Sequence, residues 1–131
     1  MLRDVYSGFF KLLGEHENTL LAANNYANSL YELKRFKEAR SLLRKTIPTG
    51  RRVLGDSHDL TLRMRWNYAR TLYENEGATF DHLREAVTTL EDTEPTARRV
   101  LGGENPLTSS IVDDLQDARA ALRARETPST R

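Results

Sequence analysis

Thr46-Ile47-Pro48-Thr49-Gly50-Arg51-Arg52-Val53-Leu54-Gly55 returns in the same chain as Thr93-Glu94-Pro95-Thr96-Ala97-Arg98-Arg99-Val100-Leu101-Gly102. Eight of the ten paired positions are identical, at a constant offset of 47 residues. A shorter echo, Leu12-Leu13-Gly14, stands 41 residues before Leu54-Gly55. Marks at nearly even spacing, each followed by a polar and then an apolar segment, signify an internal repeat, one supersecondary unit copied and stacked.

Working outward from these marks, each segment reads as helix. In 19–33, Leu20, Ala23, Ala27 and Leu30 step by three and four residues, the stripe of an amphipathic helix. Lys34-Arg35 is a short polar corner, after which Phe36, Ala39, Leu43 and Ile47 restart the stripe. So tight a connection predicts an antiparallel helical hairpin. Pro48 and Pro95 fall inside second helices, where each frees a carbonyl and kinks the helix. Arg51-Arg52 and Arg98-Arg99 precede the glycines, where cations suit the helix dipole. The second unit repeats the pattern with Leu62, Tyr68, Ala69, Leu72 and Tyr73, then Leu83, Ala86, Leu90 and Val100. Its five extra residues fall around Gly77-Ala78-Thr79, at the corner between helices. Residues 1–13, carrying Val5, Phe9, Phe10, Leu12 and Leu13, read as an orphan helix capped at Gly14. Asn105-Pro106 opens a last helix through 125, with Ile111, Leu115, Ala118 and Leu122 as its stripe. Residues 126–131 read as a disordered tail. The fold class is all-α: about six helices in one domain, with an orphan helix (1–13), two repeats (18–55 and 59–102) and a terminal helix (106–125).

Composition narrows the function classes. Twenty Lys and Arg against nineteen Asp and Glu leave a net charge of +1 over 131 residues, which gives no global attraction to nucleic acid or an anionic membrane. There is no cysteine, so disulfide and thiolate chemistry are excluded. Apolar runs fall far short of the roughly 20 residues needed to span a bilayer, and no signal-like segment follows Met1, which makes the cytoplasm the expected address.

Each repeat ends Leu-Gly-x-x-His/Asn-x-x-Thr, as in Leu54-Gly55-Asp56-Ser57-His58-Asp59-Leu60-Thr61 and Leu101-Gly102-Gly103-Glu104-Asn105-Pro106-Leu107-Thr108. A copy one residue short, Leu13-Gly14-Glu15-His16-Glu17-Asn18-Thr19, precedes them. Asn25-Tyr26-Ala27 matches Asn67-Tyr68-Ala69 at an offset of 42, and Glu38-Ala39 matches Glu85-Ala86 at 47. With these motifs the chain resembles tetratricopeptide repeats of the kinesin light chain type, whose period is 42 residues against the usual 34. The corner glycine of that pattern is replaced by Lys34, and only Pro106 keeps the proline after the capping residue.

The resemblance implies a right-handed α-solenoid whose first helices line a concave groove that binds a short peptide. The groove positions are Leu21, Asn24, Asn25, Asn28 and Tyr31 in the first unit, and Arg63, Trp66, Asn67, Arg70 and Tyr73 in the second. Asn25 and Asn67 match the asparagine that contacts peptide backbone in similar repeats, and an amide both donates and accepts. Arg63 and Arg70 suit an acidic partner, while Trp66 and Tyr31 suit an aromatic one. Aromatic stripes at helical spacing are also ordinary core. A second reading is a self-associating structural unit that stacks through Phe9, Phe10 and Leu12 at one end and Ile111, Leu115 and Leu122 at the other.

Enzymatic function is not expected. Ser57-His58-Asp59 has the residue types of a hydrolytic triad, but adjacent turn residues diverge where a triad must converge. His16 and His58 occupy the place where Asn105 caps a helix. With His82 they show no metal-ligand spacing, and no glycine-rich loop cradles a phosphate, so neither a metal nor a cofactor is expected.

Overall fold

The computed structural model describes the backbone of residues 2–126 and the side chains of residues 16–126. Five helices follow one another: α1 (Leu2–Glu32), α2 (Phe36–Val53), α3 (Asp59–Tyr73), α4 (Phe80–Leu101) and α5 (Pro106–Glu126). Among the described residues there is no strand, and the architecture is a helical repeat solenoid. The tail assigned to 126–131 lies outside the described residues except for Glu126, which ends α5.

Consecutive helices pack on one another, and α3 also touches both α1 and α5, whereas the backbones of α2 and α4 stay apart. Odd helices that touch and even helices that splay define a curved stack. The layer α1, α3, α5 is its inner, concave side, and a wedge between α2 and α4 opens on its outer side.

The repeated marks become repeated devices. Gly55 and Gly102 follow α2 and α4 with φ of 94° and 91°, values open to glycine at little cost. Two residues before each proline, a threonine hydroxyl donates to the carbonyl four residues back: Thr46 to Leu42 and Thr93 to Thr89, both at 2.6 Å. Such back-bonding accompanies bending of a helix, and α2 and α4 run through Pro48 and Pro95. The next helix is pinned to the last turns of the previous one by Thr61 Oγ1, donating to the Gly50 carbonyl at 3.4 Å, and by Thr108 Oγ1, donating to Ala97 at 3.3 Å. His58 Nδ1 accepts from the Leu60 amide at 3.0 Å, and Asn105 Oδ1 accepts from Leu107 at 2.9 Å, so both cap a helix N-terminus.

Three expectations are corrected. α1 is continuous through Gly14 and His16, so the orphan helix and the first repeat helix are one and six helices become five. The first copy of the punctuation is one residue short, and a glycine inside a helix costs only about 1 kcal/mol, so helix propagation wins. Val100 is 42% exposed, and Leu101 packs toward the core instead. Ile111 and Leu115, expected at an open end, are buried in the core, with Leu122 packed against it. The stripe of α5 therefore closes the domain from inside and offers no stacking face; Phe9, Phe10 and Leu12 lie outside the described side chains.

The five extra residues form the longer α3–α4 corner. Thr79 and His82 make a reciprocal capping box, with the His82 amide donating to Thr79 Oγ1 at 3.1 Å. Arg125 of α5 donates to the Ala78 carbonyl at 2.7 Å and ties this corner to the end of the stack.

Candidate functional site

The core stripes turn the opposite edges of α1 and α3 toward the concave side. Leu21, Asn24, Asn25 and Asn28 of α1 face Arg63, Trp66, Asn67 and Arg70 of α3 across a cleft of about 460 Å³. Tyr31 and Tyr73, also named from the sequence, do not line it. Tyr31 donates to Glu74 at the α3 end, and Tyr73 donates to Asp114 Oδ1 of α5 at 2.6 Å.

At the bottom of the cleft, Asn67 Nδ2 donates to Asn24 Oδ1 at 2.9 Å, and Arg70 Nη2 donates to Asn67 Oδ1 at 2.6 Å and to Asn28 Oδ1 at 3.2 Å. The Arg70 guanidinium lies between two rings, 4.0 Å from the Tyr31 centroid and 3.9 Å from that of Trp66. Each such cation–π contact contributes about 0.5–2 kcal/mol depending on exposure. Arg70 Nε is buried with no hydrogen-bond partner, so the ring sandwich leaves one donor unsatisfied.

Asn67 is only 4% exposed, and its amide is engaged on both sides. It positions Arg70 and Asn24 rather than facing the cleft with free groups. The groups that do face outward are the exposed Asn25, the half-buried Asn28 and Leu21, an apolar side chain left 46% exposed. Arg63 is also outward and pairs with Asp59 at 2.8 Å. An exposed pair of this kind is worth about 0.2–1 kcal/mol and is readily exchanged for another carboxylate.

Trp66 joins the two halves of the concave face. One side stacks on Arg70, and its Nε1 donates to Asp114 Oδ2 of α5 at 2.5 Å. Beyond it, Arg63, Trp66, Asn105, Pro106, Leu107 and Ser110 line a second cleft of about 330 Å³. The two clefts share Arg63 and Trp66 and so form one surface across α1, α3 and α5.

Sequence reasoning missed Asp114. At the 47-residue offset it stands where Asn67 stands in α3, and the match of Leu60-Thr61 to Leu107-Thr108 carries that signal. Burial, with the carboxylate of Asp114 accepting its proton, pushes the Tyr73 phenol up; burial and Glu74 push Tyr31 up to about 12, against the opposing pull of Arg70. Both phenols are neutral donors at physiological pH.

Ser57, His58 and Asp59 do not converge. His58 is engaged as a cap, and Asp59 holds Arg63. His16 lies within α1. No cluster of three or more metal-ligating side chains occurs among the described residues, and no described helix is long and apolar enough to cross a membrane.

The fold is that of a helical-repeat module with a cleft on its concave side. The family model of the tetratricopeptide repeat matches residues 13–77, which hold α2, α3 and the whole α1–α3 cleft. Over that stretch the chain is similar to tetratricopeptide repeats, a class that generally mediates protein–protein interaction and is generally non-catalytic. No curated protein and no solved structure shows a significant match.

Proposed function

We propose that the chain is an interaction module that holds a short peptide segment in the concave face of α1, α3 and α5. The observation that carries this reading is the stacked Arg70 guanidinium at the floor of an amide-lined cleft, with an unsatisfied Nε and an exposed apolar rim at Leu21. Asn25 and Asn28 supply the donors and acceptors that an extended backbone requires. Arg63 and Arg70 favour an acidic residue in that segment, and Leu21 with Trp66 favours an apolar or aromatic neighbour. The finer assignments, to repeats of the kinesin light chain type and to the cytoplasm, belong with this proposal.

Trp66 is the only tryptophan, so its emission reports the cleft directly. Titration with short acidic-aromatic peptides is expected to give a saturable change that Asn25→Ala with Asn28→Ala weakens by about tenfold, the worth of one or two hydrogen bonds. A peptide that binds without changing Trp66 emission, or with equal affinity in the double variant, would refute the assignment.

A further inference from the structure

The outer wedge between α2 and α4 holds a charge that the fold does not use. Its walls are Arg44, Ile47, Pro48 and Arg51 of α2 and Glu85, Thr89 and Asp92 of α4, and its floor is Arg65 and Tyr68 of α3, around a cavity of about 310 Å³. One end is bridged. Arg44 donates to Tyr68 Oη at 2.7 Å and pairs with Glu85 at 3.6 Å, and Tyr68 donates to Glu85. Arg51 is held at 2.6 Å by Asp56. Arg65, about one turn from Tyr68, is left 9% exposed with no hydrogen-bond or ion-pair partner among the described residues.

Most of the Arg65 side chain is out of water, yet none of its nitrogens is a sealed, unpaired atom, so its donors open into the cavity. The repeat does not demand an arginine there. Ala23 of α1 and Val112 of α5 stand at the matching positions. Burial and the neighbouring Arg51 pull Arg65 below the ordinary arginine value, and it remains a cation at neutral pH.

We propose that this wedge is a second binding site, for one carboxylate presented by an acidic residue of a partner protein. Glu85 takes up Arg44 and Asp56 holds Arg51, so Arg65 is the arginine of the wedge whose fork is left for a carboxylate from outside. The planar fork of Arg65 matches a carboxylate in bidentate geometry, and Ile47 and Pro48 offer apolar surface to the stem that carries it. This site is on the face opposite the concave cleft and is independent of the peptide reading.

The test is an NMR titration of the intact chain at low salt, following the Arg65 Nε–Hε and Trp66 Nε1–H signals and, for comparison with variants at position 65, the backbone amides around the wedge. The probes are N-acetyl-glutamate amide, N-acetyl-alanine, which presents a terminal carboxylate, N-acetyl-glutamine amide and inorganic phosphate. Saturable movement of Arg65 with a carboxylate probe, and none with the glutamine probe, is expected; the tighter carboxylate identifies a side-chain or C-terminal source. Arg65→Met is expected to weaken that binding by about tenfold or more, the worth of a charge-assisted hydrogen bond. Arg65→Lys keeps the charge without the fork and is expected to fall between the two. Tighter binding of phosphate, movement of Trp66 in place of Arg65, or no saturation in the unaltered chain would overturn the proposal whatever the variants do.

Discussion

Gly50 and Met64 test whether the repeat is held by matched packing. A Cβ added at Gly50 would overlap Met64 Cε well inside van der Waals contact and come within 3.7 Å of Thr61 Oγ1. Met64 is fully buried, so its terminal methyl has little room to move aside. At the matching positions of the next unit stand Ala97 and Ile111, both fully buried, and the same threonine-to-carbonyl bond closes the same gap. The glycine with methionine and the alanine with isoleucine are thus two solutions to one packing problem. Gly50→Ala alone is expected to cost about 1–3 kcal/mol in overpacking, less about 1 kcal/mol of helix propensity regained. Met64→Ile alone is a nearly volume-conserving change worth under about 1.5 kcal/mol. In the double variant the β-branched side chain removes the methyl that the new Cβ would meet, so the cost should fall below the sum of the singles by about 1 kcal/mol. Urea unfolding followed by helical circular dichroism at constant m-value measures all four corners of the cycle. Additivity within about 0.3–0.5 kcal/mol, the scatter of independent sites, would refute the matched-pair argument.

Other substitutions and conditions reach different parts of the molecule. Lys34 sits at φ 63°, a left-handed conformation costing a side-chain-bearing residue about 1–2 kcal/mol; glycine gives back about 0.5–1 kcal/mol in chain entropy, so Lys34→Gly should stabilise by up to about 1 kcal/mol in thermal unfolding. Asp114→Ala removes the acceptor of both Trp66 Nε1 and Tyr73 and should destabilise by about 2–4 kcal/mol in urea, with a change in Trp66 emission that a purely peripheral role would not produce. Tyr31, Tyr68 and Tyr73 all have folded values raised above the usual tyrosine, with Tyr31 at about 12. The unfolded chain therefore loses phenolic protons first, and stability that is intact below pH ~10 should be lost as pH rises toward 12, by up to about 1.4 kcal/mol per unit for each tyrosine. Tyr73→Phe should flatten that fall, and an unchanged slope would mean Tyr73 is not protected.

How far the sequence could be read depended on whether a feature repeats. The helices and the buried stripes of Leu20, Ala27, Leu43, Leu72 and Leu90 follow from a 3.6-residue period that every copy shows. The caps at His58 and Asn105 and the glycines after α2 and α4 were legible because two copies agreed on them. Gly14 misled for the complementary reason. A glycine terminates a helix only where the residues after it also favour the turn, and in the shortened first copy α1 continues. The shared edge of Asn24, Asn28, Arg63 and Arg70 was legible from their three-, four- and seven-residue spacing, whereas Tyr31 and Tyr73, named with them, do not line the cleft. What each side chain bonds was not. Asn67 is satisfied by Asn24, and Trp66 by Asp114, through contacts 43 and 48 residues apart that no local pattern encodes.

The division between what repeats and what does not is itself informative. Thr61 and Thr108, Thr46 and Thr93, and the paired glycines do the same job in both units, and that job is to stack helices. Arg65, Trp66 and Arg70 have no like residue at the matching places in α1 or α5, where Ala23, Asn24 and Asn28, and then Val112, Asp113 and Asp117, stand. A solenoid needs only its framework to be copied, since each unit contacts only its neighbours. Residues that break the copy, such as an unpartnered guanidinium in the outer wedge and an unsatisfied Nε in the inner cleft, are not explained by stacking. Arg65 and Arg70 stand more than one turn apart on α3, at a spacing that turns them to opposite sides of the array. α3 is therefore the helix on which both proposed sites depend. Replacing Arg65 and Arg70 separately should abolish binding at one face while leaving the other intact, and loss of both from either change would mean that α3 acts as a single unit instead.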